Sequence, residues 1–111
     1  MSNKFNSFLY LFIETNWVIS EKGANCNDIC AKSGRTCNAV EQSKLTTKEL
    51  MEDAMVKAGQ PCKVIDSRGY AGSPFFRPSA KDCFFLTPGS TSICDGNKNR
   101  GHNPLCYCEC K

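Results

Sequence analysis

Leu105-Cys106-Tyr107-Cys108-Glu109-Cys110-Lys111 closes the chain and places a cysteine at every second position. On an extended strand side chains alternate between faces, so this spacing sends all three sulfurs to one side. A second pair, Cys26 and Cys30, stands four residues apart in Asn25-Cys26-Asn27-Asp28-Ile29-Cys30-Ala31-Lys32, a spacing that puts both sulfurs on one face of a helix. Four helical residues rise about 6 Å and two strand residues about 6.6 Å, so a helix laid along the strand can meet it in two parallel disulfide rungs. The geometry leaves open which two of the three strand cysteines take part.

The composition supports this reading. Nine cysteines in 111 residues, about 8% of the chain, reach the range in which a short chain is a disulfide scaffold. Zinc centres group cysteines in fours, commonly as CxxC pairs, and the chain has no CxxC. An oxidising compartment, outside the cell or in the secretory lumen, is therefore expected. The odd count leaves at least one thiol over, reduced or linked to another molecule. A net charge of +3, from 14 basic and 11 acidic residues scattered along the chain, is too mild to indicate nucleic acid or a membrane surface. At this length one domain with a modest core is expected.

Residues 1–16 form a separate apolar segment. Lys4 precedes Phe8-Leu9-Tyr10-Leu11-Phe12-Ile13, and Glu14 ends the run after six residues, short for a signal peptide and far too short to span a bilayer. Three readings stay open: a shortened signal segment cleaved before Trp17, an edge strand or apolar arm, and an interfacial anchor. Residues 17–111 make the stapled module. Trp17-Val18-Ile19-Ser20 reads as a short strand and Lys22-Gly23 as a turn; Asn25 then caps the cysteine-bearing helix, which Gly34 stops. Thr46 with Glu49 three residues on is a capping box, Leu45 can staple against Leu50, and Leu50, Met51, Ala54, Met55 and Ala58 make an apolar stripe ending at Gly59.

Beyond Cys62-Lys63-Val64-Ile65, residues 66–82 carry Gly69, Gly72, Pro74 and Pro78 without periodicity and read as a long loop. Cys83-Phe84-Phe85-Leu86 is a strand, Thr87-Pro88-Gly89-Ser90 a turn, and Ser92-Ile93-Cys94 the return strand. The long loop holds Arg68, Tyr70, Phe75 and Arg77, side-chain types that anchor interfaces or stack on sugars. These four are the candidate binding residues. The competing reading folds Tyr70, Phe75 and Phe76 inward to enlarge a small core.

The cysteine order also resembles a known pattern. Cys26-x3-Cys30-x6-Cys37 with Gly34 inside it, Trp17 and Gly23 before it, then Pro74-x-Phe76-x-Pro78-x4-Cys83, Cys94 and Cys106-x-Cys108 resemble the cysteine-rich C-terminal region of the alpha-1,6-mannosylglycoprotein 6-beta-N-acetylglucosaminyltransferases. The likeness covers about Trp17 to Cys108. Cys110, the N-terminal segment and much of the capped helix lie outside it. The resemblance implies a nested pairing, Cys26–Cys106, Cys30–Cys108, Cys37–Cys94 and Cys62–Cys83, out of on the order of a hundred connectivities open to eight cysteines. Cys110 is then unpaired and available for an intermolecular disulfide.

No catalytic residue follows from the resemblance, because such a transferase needs nucleotide-sugar and acceptor sites on two large lobes that this chain does not match. His102 is the sole histidine, in a polar loop between Gly101 and Asn103-Pro104, and reads as a bystander. No enzyme, cofactor or metal is expected. The sequence predicts a small α+β disulfide-rich domain with two short helices and a few short antiparallel strands. Its expected role is a secreted or luminal, non-catalytic interaction module for a protein or glycan partner, without a membrane span. The alternatives are an accessory C-terminal fragment of a glycosyltransferase, and a thiolate metal site built from Cys106, Cys108, Cys110 and His102.

Overall fold

The computed structural model describes residues 15–68, 74–95 and 102–110. Its spine is the closing cysteine stretch, which forms the longest strand. In chain order the elements are β1 (Trp17–Ile19), α1 (Cys26–Lys32), β2 (Arg35–Cys37), α2 (Ala39–Ser43), α3 (Lys48–Lys57), β3 (Val64–Arg68), β4 (Phe75–Arg77), β5 (Asp82–Leu86) and β6 (Asn103–Cys110). The protein is a small disulfide-rich α+β domain.

The six strands run in the order β1-β6-β4-β5-β3, with β2 also paired to β6. Backbone hydrogen bonds fix the sides of β6. Pro104 and Cys108 bond Ser20 and Asn16 on the β1 side, whereas Leu105 and Tyr107 bond Pro74 and Asn38 on the opposite side. β4 and β2 therefore lie end to end along one edge of β6. Asn16 and Thr15 already belong to these contacts, the latter accepting from Arg35 Nη1 at 2.9 Å. Residues 1–14, most of the expected N-terminal segment, lie outside the described residues.

Alternation along β6 separates the two cores. Cys106 and Cys108 meet α1 through Cys26–Cys106 and Cys30–Cys108, with Cα atoms 5.4 and 5.2 Å apart, and Val18, Ile29, Cys37 and Cys94 pack around these bridges. Leu105 points the other way, into a cluster with Leu45, Met51, Ala54, Met55, Phe76 and Cys83. Cys37–Cys94 and Cys62–Cys83 complete the set, with Cα separations of 6.1 and 5.8 Å. The bridges follow the nested order that the resemblance implies, and Cys110 stays free and exposed.

α1 starts where expected: Asn25 Oδ1 accepts from the Asp28 N–H at 2.8 Å, and Gly34 adopts φ +72° while its N–H donates to Ala31, the left-handed stop that glycine makes without steric cost. α3 begins one residue later than predicted. Thr46 is held in the preceding turn by its N–H on the Lys44 carbonyl, and Thr47 Oγ1 takes the Leu50 N–H at 3.1 Å. Glu49 then falls one place short of a capping box. Leu50, at the edge of the expected stripe, is 46% exposed, and the buried residues of the helix are Met51, Ala54 and Met55.

Four other expectations are corrected. The described residues form three helices rather than two, because Asn38 Oδ1 caps a five-residue α2 through the Glu41 N–H. The expected long loop begins with β3, which runs to Arg68, and contains β4. β3 is parallel to β5, with Ile65 opposite Cys83, so the sheet is not wholly antiparallel. Parallel pairing arises because the chain leaves β3, forms β4 on the far side of β5, and returns along β5. Ser92-Ile93-Cys94 is not a strand; Ser92 N–H bonds Ser43 Oγ and the Cys94 carbonyl accepts from Asn27. The turn before it is as predicted, with Gly89 at φ +93° and Ser90 N–H on the Thr87 carbonyl.

Candidate functional site

The antiparallel β4–β5 hairpin turns through residues 78–81, and a concave polar surface lies beside that turn. Arg77 stands opposite Asp82 in the register, and its Nη2 donates to the Asp82 carboxylate. The guanidinium also lies over the Phe84 ring, 5.3 Å from its centroid, so both its charge and its plane are engaged. Lys81, the last residue of the turn, has φ +57° and is the one non-glycine residue at positive φ among the described residues. Its carbonyl accepts from the Lys63 N–H at 2.8 Å, which brings the residue before β3 against the hairpin.

A cleft of about 380 Å³ opens beside this turn, lined by Lys22, Pro78, Ser79 and Asn103. Lys22 comes from the turn after β1, Pro78 and Ser79 from the hairpin, and Asn103 from the start of β6, where it faces Phe76 across the ladder. Asn103 Oδ1 has no hydrogen-bond partner among the described residues. Lys22, Lys63 and Lys81 are exposed. The ion pairs among the described residues use other cations: Lys32 with Glu21, Lys44 with Glu41, Lys57 with Asp53, and Arg77 with Asp82.

The structure distributes the sequence-predicted binding residues unevenly. Phe75 is 1% exposed, tilted against Phe84 at 4.6 Å and stacked on His102 at 4.0 Å between ring centroids, so in this conformation it packs rather than offering a contact face. Phe76 is buried in the α3 core. Arg77 is partly exposed and committed to Asp82. Arg68 ends β3 with its backbone opposite Leu86, and its side chain lies outside the described residues. Tyr70 also lies outside them. Lys22, Ser79, Lys81 and Asn103 were not singled out by sequence reasoning, because 57 residues separate Lys22 from Ser79 and no motif links them.

A second, shallower groove of about 220 Å³ is lined by Ala39, Val40, Ser43, Thr91 and Ser92, with Val40 69% exposed on its rim. Beneath it lies a polar core that sequence reasoning also missed. Gln42 is buried; its Nε2 donates to Ser92 Oγ at 2.8 Å and its Oε1 accepts the Tyr107 N–H at 2.9 Å. Tyr107 sits between the reach of β4 and that of β2 along β6, so the glutamine supplies the acceptor that neither strand provides. Nearby, the Glu41 carboxylate hydrogen-bonds Lys44 and raises its pKa above the ordinary lysine value.

Eight sulfurs are held in disulfides, so among the described residues a thiolate centre could draw on Cys110 alone. No group of three or more metal-ligating side chains occurs among the described residues. No helix among them is long and apolar enough to cross a membrane. Fold and surface thus define a disulfide-stapled α+β module with a cleft at one end of its sheet. No protein-family model matches the chain, and no curated protein is significantly similar to it.

Proposed function

We propose that this chain is a non-catalytic interaction module of an oxidising compartment, secreted or luminal. The observation that carries the reading is the commitment of eight of nine cysteines to four intrachain bridges, a pattern that persists where thiols are not kept reduced. The bridges tie both ends of the described chain into one frame and leave its turns to carry recognition. Cys110, exposed and outside the bridges, is the sulfur available for a covalent link to a second molecule. The cysteine order supports a glycan-associated role by its resemblance to the transferase C-terminal region, and the same resemblance supports the second reading, an accessory fragment that works only when joined to a catalytic region.

The test uses the oxidised full chain. Intact mass and thiol labelling should show four bridges and one reactive thiol, lost in Cys110→Ser. Glycan-array and pull-down assays should then capture a selective partner. Nine reactive thiols without denaturant, or clean negatives in both binding assays, would end the interaction-module reading.

A further inference from the structure

We infer that the cleft beside the β4–β5 turn is a binding site for an acidic glycan, an oligosaccharide bearing carboxylate or sulfate groups. The inference rests on the glycan-associated reading above and names its site and ligand class.

Three lysines that are scattered in sequence lie along this end of the sheet, and one of them, Lys22, lines the cleft itself. Lys22 and Ser79 share the cleft, Lys81 lies two residues along the same turn, and the Lys63 N–H is bonded to the Lys81 carbonyl. None of the three enters an ion pair among the described residues. Two neighbouring acids are already paired: Glu21 faces Lys32 at 3.6 Å and Asp82 holds Arg77. Lys22 is the charged side chain in the cleft lining, and Lys81 and Lys63 stand beyond it on the turn and before the neighbouring strand, a local excess of positive charge that attracts anions.

Lys81 adds an independent argument. A left-handed conformation is costly for a residue with a Cβ and is the usual place for glycine or asparagine. A lysine held there at φ +57° sacrifices local stability and keeps a cation beside the cleft, the pattern expected where strain serves a site. The rest of the lining selects the kind of anion. The Ser79 hydroxyl can exchange hydrogen bonds with sugar hydroxyls, the Asn103 side-chain N–H can donate to them, and the Pro78 ring offers an apolar patch to a sugar's C–H face. A flat anionic membrane fits less well than a chain that enters a concavity, and anionic lipid is concentrated on the cytoplasmic leaflet.

The experiment titrates the oxidised full chain at about 0.15 M salt, where exposed charges more than a Debye length apart are screened, with a heparin-derived hexasaccharide, a hyaluronan hexasaccharide, neutral chitohexaose and a short DNA duplex. Amide chemical shifts report the place of binding. The acidic oligosaccharides should bind and shift Lys22, Lys63, Ser79, Lys81 and Asn103, and chitohexaose should not. Lys22→Gln and Lys63→Gln should each weaken binding by about threefold, the scale of one exposed ion pair. Lys81→Asn should weaken it similarly while its Tm stays at or above the parent's.

Acidic sugars that bind but shift other residues, with the lysine variants unchanged, would overturn the site and leave the module reading standing. Failure of every sugar, together with a negative glycan array, would overturn both site and glycan association. DNA binding as tight as the sulfated hexasaccharide would overturn the glycan assignment in favour of an unselective polyanion surface.

Discussion

The two faces of β6 are stabilised in different ways. On one face Cys106 and Cys108 are bolted to α1, and the fully buried groups of that cluster are four cysteines, with no large apolar side chain among them. On the other face Leu105 joins Leu45, Met51, Met55 and Phe76 under α3 in an ordinary hydrophobic core, to which one bridge, Cys62–Cys83, is attached at the margin. A chain of this size can bury only a modest apolar area. It buries that area under α3 and, on the other face, around Phe75 and Phe84, and uses covalent closure where α1 meets β6. The closures are long, with sequence separations of 80 and 78 for the two α1 rungs, and long closures restrict the unfolded chain most.

The largest expected effect comes from removing that asymmetry. Each bridge contributes roughly 2–4 kcal/mol, less than additively when loops overlap, against a total stability of about 5–15 kcal/mol for a domain. Because β6 is the wall of both cores, reduction should unfold both together. Far-ultraviolet helix signal and the near-ultraviolet signal of the Trp17–Tyr107 pair, whose rings meet edge to face at 5.0 Å, should disappear in one transition when dithiothreitol is added. If the α3 helix signal survives while the aromatic signal is lost, the two faces are separate stability units and the shared-wall account fails.

These regions were also unequally legible. The stapled face could be read because its information is local: Asn25, Cys26, Cys30 and Gly34 define a capped helix, and the alternating cysteines define a strand of matching rise. The choice among the three strand cysteines was not local, since the geometry admits two registers and the resemblance, not the spacing, implied the one observed. The parallel β3–β5 pair was hidden because its partner is chosen after β4 has formed between them in sequence; Val64-Ile65-Asp66-Ser67-Arg68 has no alternation to show it. Phe75 and Phe76 are adjacent in a proline-flanked stretch that reads as a loop, yet both are buried, one on each face of the sheet. The cleft was invisible for the same reason, as its lining comes from three turns or strand ends far apart in the chain.

Gln42 sits at the seam between the two regions and sharpens the comparison at the next level of effect. Its amide joins the Tyr107 N–H of β6 to Ser92, beside the irregular segment that carries Cys94 to its bridge. Gln42→Ala should leave a buried N–H without an acceptor and cost about 1–3 kcal/mol, read as a fall in denaturant midpoint at unchanged slope. Hydrogen exchange should rise first at Tyr107. A loss below about 0.5 kcal/mol, the scale of a neutral surface change, would show that the seam is closed by something other than this side chain.

The smallest effect distinguishes two adjacent threonines and tests how the packed face is bounded. Thr47 Oγ1 caps α3, whereas the Thr46 N–H is taken up by the turn after α2. Thr47→Ala should therefore cost about 1 kcal/mol, the usual loss of an N-cap, and Thr46→Ala should be near neutral. The cap matters beyond its own bond, since it fixes the first turn from which Met51 and Met55 reach the core cluster of Leu105 and Phe76. Were Thr46→Ala the costlier of the two, the helix would start a residue earlier and Thr46 with Glu49 would form the capping box after all.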